Sequence, residues 1–250
     1  MPDRSLVDVD AGTTFQRPLM VVLALTFAAG ILDAVGFGRF GVFTANQAGN
    51  LVVGWTLLPD EPAAAVLSFV SILGCGLGVT AIVLLRHRWP SLAGPTGSRT
   101  LLVGAAGLII VAAVIGRALT DDPRGEPVVT PGLGTGPWWS DAASVWLSAF
   151  SVAALATVFI SGGGTRASIL ASTNAYVDAV RFGVASGLDR TEARWGRQAR
   201  RAAGFPLAWS LGAAVTVVLP LEMVAMSSIA AVVIVAVALL ARRVTSEAGG

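Results

Sequence analysis

Six long stretches of this chain contain no Asp, Glu, Lys or Arg. They are residues 18–32 (continued by 34–38 beyond Asp33), 62–85, 100–116, 142–165, 202–221 and 223–241. An α-helix rises about 1.5 Å per residue, so about 20 apolar residues cross the ~30 Å of hydrocarbon in a bilayer. A soluble fold would have to interrupt such runs with charge to build a wetted face. Here hydrophobic residues make up 54% and charged residues 13% of the chain, too little charge to clothe a soluble surface. The runs therefore predict an all-α polytopic membrane protein with six transmembrane helices. The tail before Pro18 is mixed in charge and has no basic n-region, so residues from Pro18 onward read as a retained first span rather than a signal peptide.

Two further stretches are harder to place. Residues 40–59 are uncharged but hold Asn46, Gln47, Asn50 and several glycines, and residues 167–177 are too short to span before Asp178 and Arg181 intervene. The arginines arbitrate, because loops rich in arginine stay on the cytoplasmic side. If both stretches crossed, the loop with Arg86, His87, Arg88 and Arg99 would face outward, and the acidic loop with Asp121, Asp122, Glu126 and Asp141 would face inward. If both dip in and return, the N-terminus, the 86–99 loop, the Arg181–Arg201 segment and Arg242–Arg243 all fall inside. The acidic loop and Glu222 then fall outside. Six spans plus two short broken or re-entrant helical elements is the expected architecture. The competing arrangement is eight helical segments in two parallel four-segment repeats.

Shifting the chain by about 130 residues places the first span on the fourth and VFTANQAGNLV on TNAYVDAV. With three spans in each half, the two repeats must have opposite orientations, an inverted 3+3 arrangement. The expected boundaries are a cytoplasmic tail at 1–17, a first membrane repeat at 18–117, an extracytoplasmic acidic loop at 118–141, a second repeat at 142–243 and a C-terminal tail at 244–250. Irregular backbone at membrane depth is tolerated only where protein or water satisfies it, and paired elements of this kind build the midplane sites of many transporters.

The segment LDAVGFGRFGVFTANQAGNLVVG carries a resemblance. Asp33, Ala34, Gly36, Val42, Phe43, Gly49 and Asn50 match the signature of the YoaK-like family, bacterial six-span membrane proteins of unknown function. Ala48 stands where that signature has Thr, and Tyr176-Val177-Asp178-Ala179 is similar to its Tyr-Val-Thr-Gly pattern in the second half. The resemblance covers most of the chain and is most specific over residues 31–54. It implies the fold and topology class and carries no substrate with it.

Gly36, Gly38 and Gly41 also satisfy G-x-G-x-x-G, but a dinucleotide loop needs a preceding strand and a βαβ unit, and a membrane helix stands there instead. Together with Gly49 they read as hinge positions where the first span ends. Thr44, Asn46, Gln47 and Asn50 offer uncharged donors and acceptors suited to a small polar solute or a dehydrated ion. They equally serve as caps and interhelical hydrogen bonds. Ser172, Thr173, Asn174 and Tyr176 form a second such cluster, also readable as a helix N-cap. Asp33 and Asp178 are the acids nearest the membrane interior and the candidates for proton or ion coupling. For Asp33 the other reading is a helix cap or a pair with Arg39, and for Asp178 a pair with Arg181 or Arg166. Gly74 and Gly78 read as a close helix-packing face. Trp55, Trp89, Trp138, Trp139 and Trp195 fall near span ends as interfacial anchors.

Enzyme signatures are absent from the sequence. His87 is the single histidine and lies in a basic loop, Cys75 is the single cysteine, and no nucleophile elbow or metal-ligand spacing occurs. The 17 arginines and absent lysines sit at the ends of apolar runs, which is topology rather than a nucleic-acid surface. The expectation is a non-enzymatic permease or channel in the bacterial inner membrane, with both termini cytoplasmic, no cofactor and no metal. Its partners would be the bilayer, an unidentified small solute and, compatibly, further copies in a homo-oligomer. The alternative is a membrane scaffold or accessory subunit that transports nothing.

Overall fold

The computed structural model describes residues 19–118, 138–160, 193–219 and 221–240. Among these residues the chain is entirely helical. Seven α-helices follow in order: α1 (Leu19–Phe40), α2 (Gln47–Leu57), α3 (Pro62–Arg88), α4 (Pro95–Ala118), α5 (Trp138–Ile160), α6 (Ala193–Val218) and α7 (Met223–Leu240). A single 3-10 turn, Pro90–Ala93, joins α3 to α4. A helix therefore occupies each of the six charge-free runs. Three of them carry stretches long and apolar enough to cross a bilayer: Leu23–Phe40, Pro62–Arg88 and Thr96–Gly116. Shorter apolar helices cover Ala203–Val218 and Met223–Leu239.

Local chemistry sets the ends. Pro62 and Pro95 stand in the first turns of α3 and α4, where a missing N–H costs nothing. Arg86, His87 and Arg88 close α3, where positive charge is favourable to the helix dipole. α1 stops because Gly41 takes a φ of 68°, a left-handed conformation that costs an L-residue about 1–2 kcal/mol. Gly36 and Gly38 lie inside α1 and Gly49 in the first turn of α2. The chain reversal thus falls on Gly41 rather than being shared among the four glycines.

α2 has 11 residues, about 16 Å of helix, which is half of a membrane crossing. Among the described helices its main packing partner is α3. Elsewhere α3 lies along α5, α1 along α6, α4 against α5 and α7, and α7 against α1. Gly78 on α3 meets the Phe150 carbonyl of α5, and Gly212 on α6 meets the Phe27 carbonyl of α1. A Cβ at either position would overlap that oxygen, so both pairs pack backbone against backbone. The Gly74–Gly78 face expected from sequence is therefore the α3–α5 seam.

Helix directions follow from these neighbours. Gly74 meets Trp146 and Gly78 meets Phe150, so α3 and α5 run the same way. Gly204 meets Leu23 and Gly212 meets Phe27 and Ile31, so α6 runs with α1. Phe40, the last residue of α1, and Val42 just past it cluster with Leu67, Val145 and Met223 near the starts of α3, α5 and α7. Gly116 at the end of α4 touches Ser144 and Met223 in the same place. Thus α1, α4 and α6 point one way, and α3, α5 and α7 point the other. The larger core, including Ile31, Leu102, Ile109, Val152, Met226 and Ile234, fills the space between them.

Candidate functional site

Leaving α1 at Phe40, the chain does not continue outward. Residues 41–46 fold back along α1, and the backbone N–H of Ala45 donates to Asp33 Oδ1 at 2.5 Å. Asp33 lies seven residues before Phe40, so the loop returns about 10 Å along the helix. The return lays polar backbone alongside an apolar helix.

Asp33 is fully buried, at 1% exposure, and three elements converge on it. Besides Ala45, the Thr44 hydroxyl lies 3.4 Å from Oδ1, and the N–H groups of Thr44 and Asn46 face the same carboxylate. From α6, the Trp209 indole N–H donates to Oδ2 at 3.2 Å. The carboxylate thus sits at the start of α2, where negative charge is favoured, and also reaches across to the second half of the chain. A buried carboxylate is tolerable here because donors surround it. Thr44 is itself buried.

Asn50 holds the other side of the loop. Its Oδ1 accepts from the Phe43 N–H at 2.8 Å, and its Nδ2 donates to the Phe43 carbonyl at 2.6 Å. The amide thereby grips one peptide unit in both directions, as a neighbouring β-strand would. Nδ2 also lies 3.0 Å from Gln47 Oε1 and 3.0 Å from Ser71 Oγ of α3. Ser71 in turn donates to the Phe43 carbonyl at 2.8 Å, and Gln47 Nε2 donates to the Thr44 carbonyl at 3.0 Å. Asn50 has no exposed surface, and its donors and acceptor are all engaged.

Asn46 differs from its neighbours. It is the N-cap of α2, with Oδ1 accepting from the Gly49 N–H at 3.2 Å. The side chain is half-buried, and its Nδ2 makes no hydrogen bond among the described residues. Of the predicted residues, then, Asp33, Thr44, Asn46, Gln47 and Asn50 come together around one loop. Ser172, Thr173, Asn174, Tyr176 and Asp178 lie outside the described residues.

Sequence reasoning missed Ser71 and Trp209. A signal existed for Trp209. Five tryptophans fall near span ends, and Trp55, Trp89, Trp138 and Trp139 are exposed there, whereas Trp146 and Trp209 fall inside charge-free runs and need a partner for the indole N–H. Asp141 was read as part of the outer loop. It is fully buried in the first turn of α5, beside buried Ser140 and Ser144. No group of three His, Cys, Asp or Glu residues that could hold a metal occurs among the described residues.

The family described as "Protein of unknown function (DUF1275)" matches residues 21–241. The chain belongs to that family. The match spans every described helix except the first two residues of α1, and it agrees with the resemblance read from residues 31–54. No curated protein and no solved structure matches the chain. Three of the chain's helices are long and apolar enough to cross a membrane, and the family's description gives it no function.

Proposed function

We propose that this chain is a six-span permease or channel of the bacterial inner membrane for a small uncharged or weakly polar solute. The observation that carries the reading is the 41–46 loop. It is pinned about 10 Å below the end of α1, a depth at which polar backbone persists only with a reason. Within that loop Asn46 is the solute-facing group, since among the described residues its Nδ2 hydrogens have no partner while the Asn50 amide is consumed. Gln47 is a secondary contact through its half-buried side chain.

The packing scheme supports an inverted 3+3 repeat. A twofold exchanging α1, α3 and α4 with α5, α6 and α7 turns the α3–α5 pair into α6–α1 and the α4–α5 pair into α7–α1. Each of these pairs is a packed seam. Both exchanged glycine seams are parallel, and α1 opposes α5, as an in-plane axis requires. Two parallel repeats would need α1 and α5 to run the same way. A crevice between the halves, lined by Leu25, Ala28, Leu32, Val152 and Ile234, has a volume of about 10 Å³, roughly one water. Asp33, where Trp209 of the second half meets the first, is the coupling group in this reading.

The test is flux into liposomes holding the purified chain, across a panel of small solutes. A solute-specific flux that Asn46→Leu abolishes, in a protein that still inserts and remains monodisperse, supports the reading. Parent flux retained in Asn46→Leu, or no flux for any solute, overturns it. The second reading, a scaffold that transports nothing, is favoured by the self-contained bonding of Asn50, and absence of flux is its expected outcome.

A further inference from the structure

The Trp209–Asp33 contact joins residues 176 apart in sequence and belongs to opposite halves of the chain. Near it α1 and α6 touch backbone to backbone, with Gly30 against the Trp209 carbonyl and Gly212 against the Phe27 carbonyl. Trp209 is therefore held rigidly relative to α1, and its indole has one polar atom to place. That atom donates to the Asp33 oxygen opposite the one that receives Ala45. Ala45 immediately precedes Asn46, the N-cap that starts α2.

We propose that Trp209 is a positioning residue for Asn46, acting through Asp33 and the Ala45 N–H. This rests on the reading of Asn46 as the solute-facing group, and it adds that the second half of the chain sets where the first half's site stands. The physical chain is short. The indole orients the carboxylate, the carboxylate accepts from Ala45, and the fixed peptide fixes the cap one residue on. Pro206, one turn before Trp209 inside α6, removes an N–H from that helix's ladder and leaves a place where α6 can bend.

A nitroxide label on Ala48→Cys, in a Cys75→Ser background, reads the order of α2's first turn. A label on Asp60→Cys, exposed beyond the same helix, is the control. Trp209→Phe is expected to shift the docked-to-mobile ratio at position 48 by about tenfold, the effect of one hydrogen bond to a charged group, and to leave position 60 unchanged. Asp33→Asn keeps one acceptor and turns the other oxygen into a donor, so Ala45 and Trp209 cannot both be satisfied, and it is expected to mobilise position 48 about as Trp209→Phe does. An unchanged spectrum at 48 in Trp209→Phe, or equal mobilisation at 48 and 60, overturns the proposal. Should Trp209→Phe give no monodisperse protein, the parent supplies the readout. The Trp209 indole N–H resonance must move on Asp33→Asn, and an unmoved signal overturns it. The label reports conformation alone, so a failed flux assay would remove the permease reading without deciding this one.

Discussion

Replacing Asn50 with leucine keeps the approximate volume of the side chain and deletes every polar atom in it. The Phe43 N–H then loses its acceptor, and the Phe43 carbonyl keeps Ser71 as its remaining donor. One backbone donor is left unpaired in a site with no exposure at Asn50. An orphaned buried donor costs about 1–3 kcal/mol, and the lost amide–carbonyl bond adds about 1 kcal/mol. Interhelical hydrogen bonds inside membranes average nearer 0.6 kcal/mol, because the unfolded reference also finds partners, so the contact to Ser71 adds little. The leucine recovers some apolar transfer free energy, leaving a net loss of about 2–3 kcal/mol. The assay is reversible unfolding in mixed micelles, followed by tryptophan fluorescence. Ser71→Ala is expected to cost about 1 kcal/mol alone and less in the Asn50→Leu background, since both act on Phe43. An Asn50→Leu protein within about 0.5 kcal/mol of the parent would refute the claim that this amide holds the loop.

Gly78→Ala drives a methyl into the Phe150 carbonyl and is expected to cost at least about 2 kcal/mol by the same unfolding assay, whereas Gly76→Ala, which meets nothing within 4 Å, should stabilise α3 by about 0.5–1 kcal/mol. Gly41→Ala must adopt φ 68° and should lose about 1–2 kcal/mol, with no loss if the turn can be rebuilt by neighbours. Asp33→Leu strands the Ala45 and Trp209 N–H groups and should lower the yield of folded protein well below that of Asp33→Asn. Equal yields for the two variants would show that the carboxylate's hydrogen bonds do not matter.

Much of the architecture was legible in local patterns. Pro62 opens α3 and the basic trio at 86–88 closes it, while the glycines at 74 and 78 sit on the seam that their spacing advertises. The hinge glycines were legible only as a group. All four permit a reversal, but the steric outcome at Gly41 depends on Val42 packing with Leu67 and Val145, residues supplied by α3 and α5. Asn46, Gln47 and Asn50 lie around one loop as unequal members, a difference the sequence did not show. Whether an asparagine binds a peptide or faces outward depends on which backbone lies opposite, and its i, i+4 spacing cannot say.

What the sequence determined by itself is therefore the part governed by length and transfer free energy. Runs without charge become helices, and their lengths and composition decide which are able to cross a bilayer. Those signals are local and additive along the chain. Tertiary structure alone decided that Ser71 and Asn50 share the Phe43 peptide, and that Trp209 answers Asp33 from 176 residues away. A hydrogen bond is directional and short, so its partner is chosen by how helices pack, and no residue carries that choice in its own type.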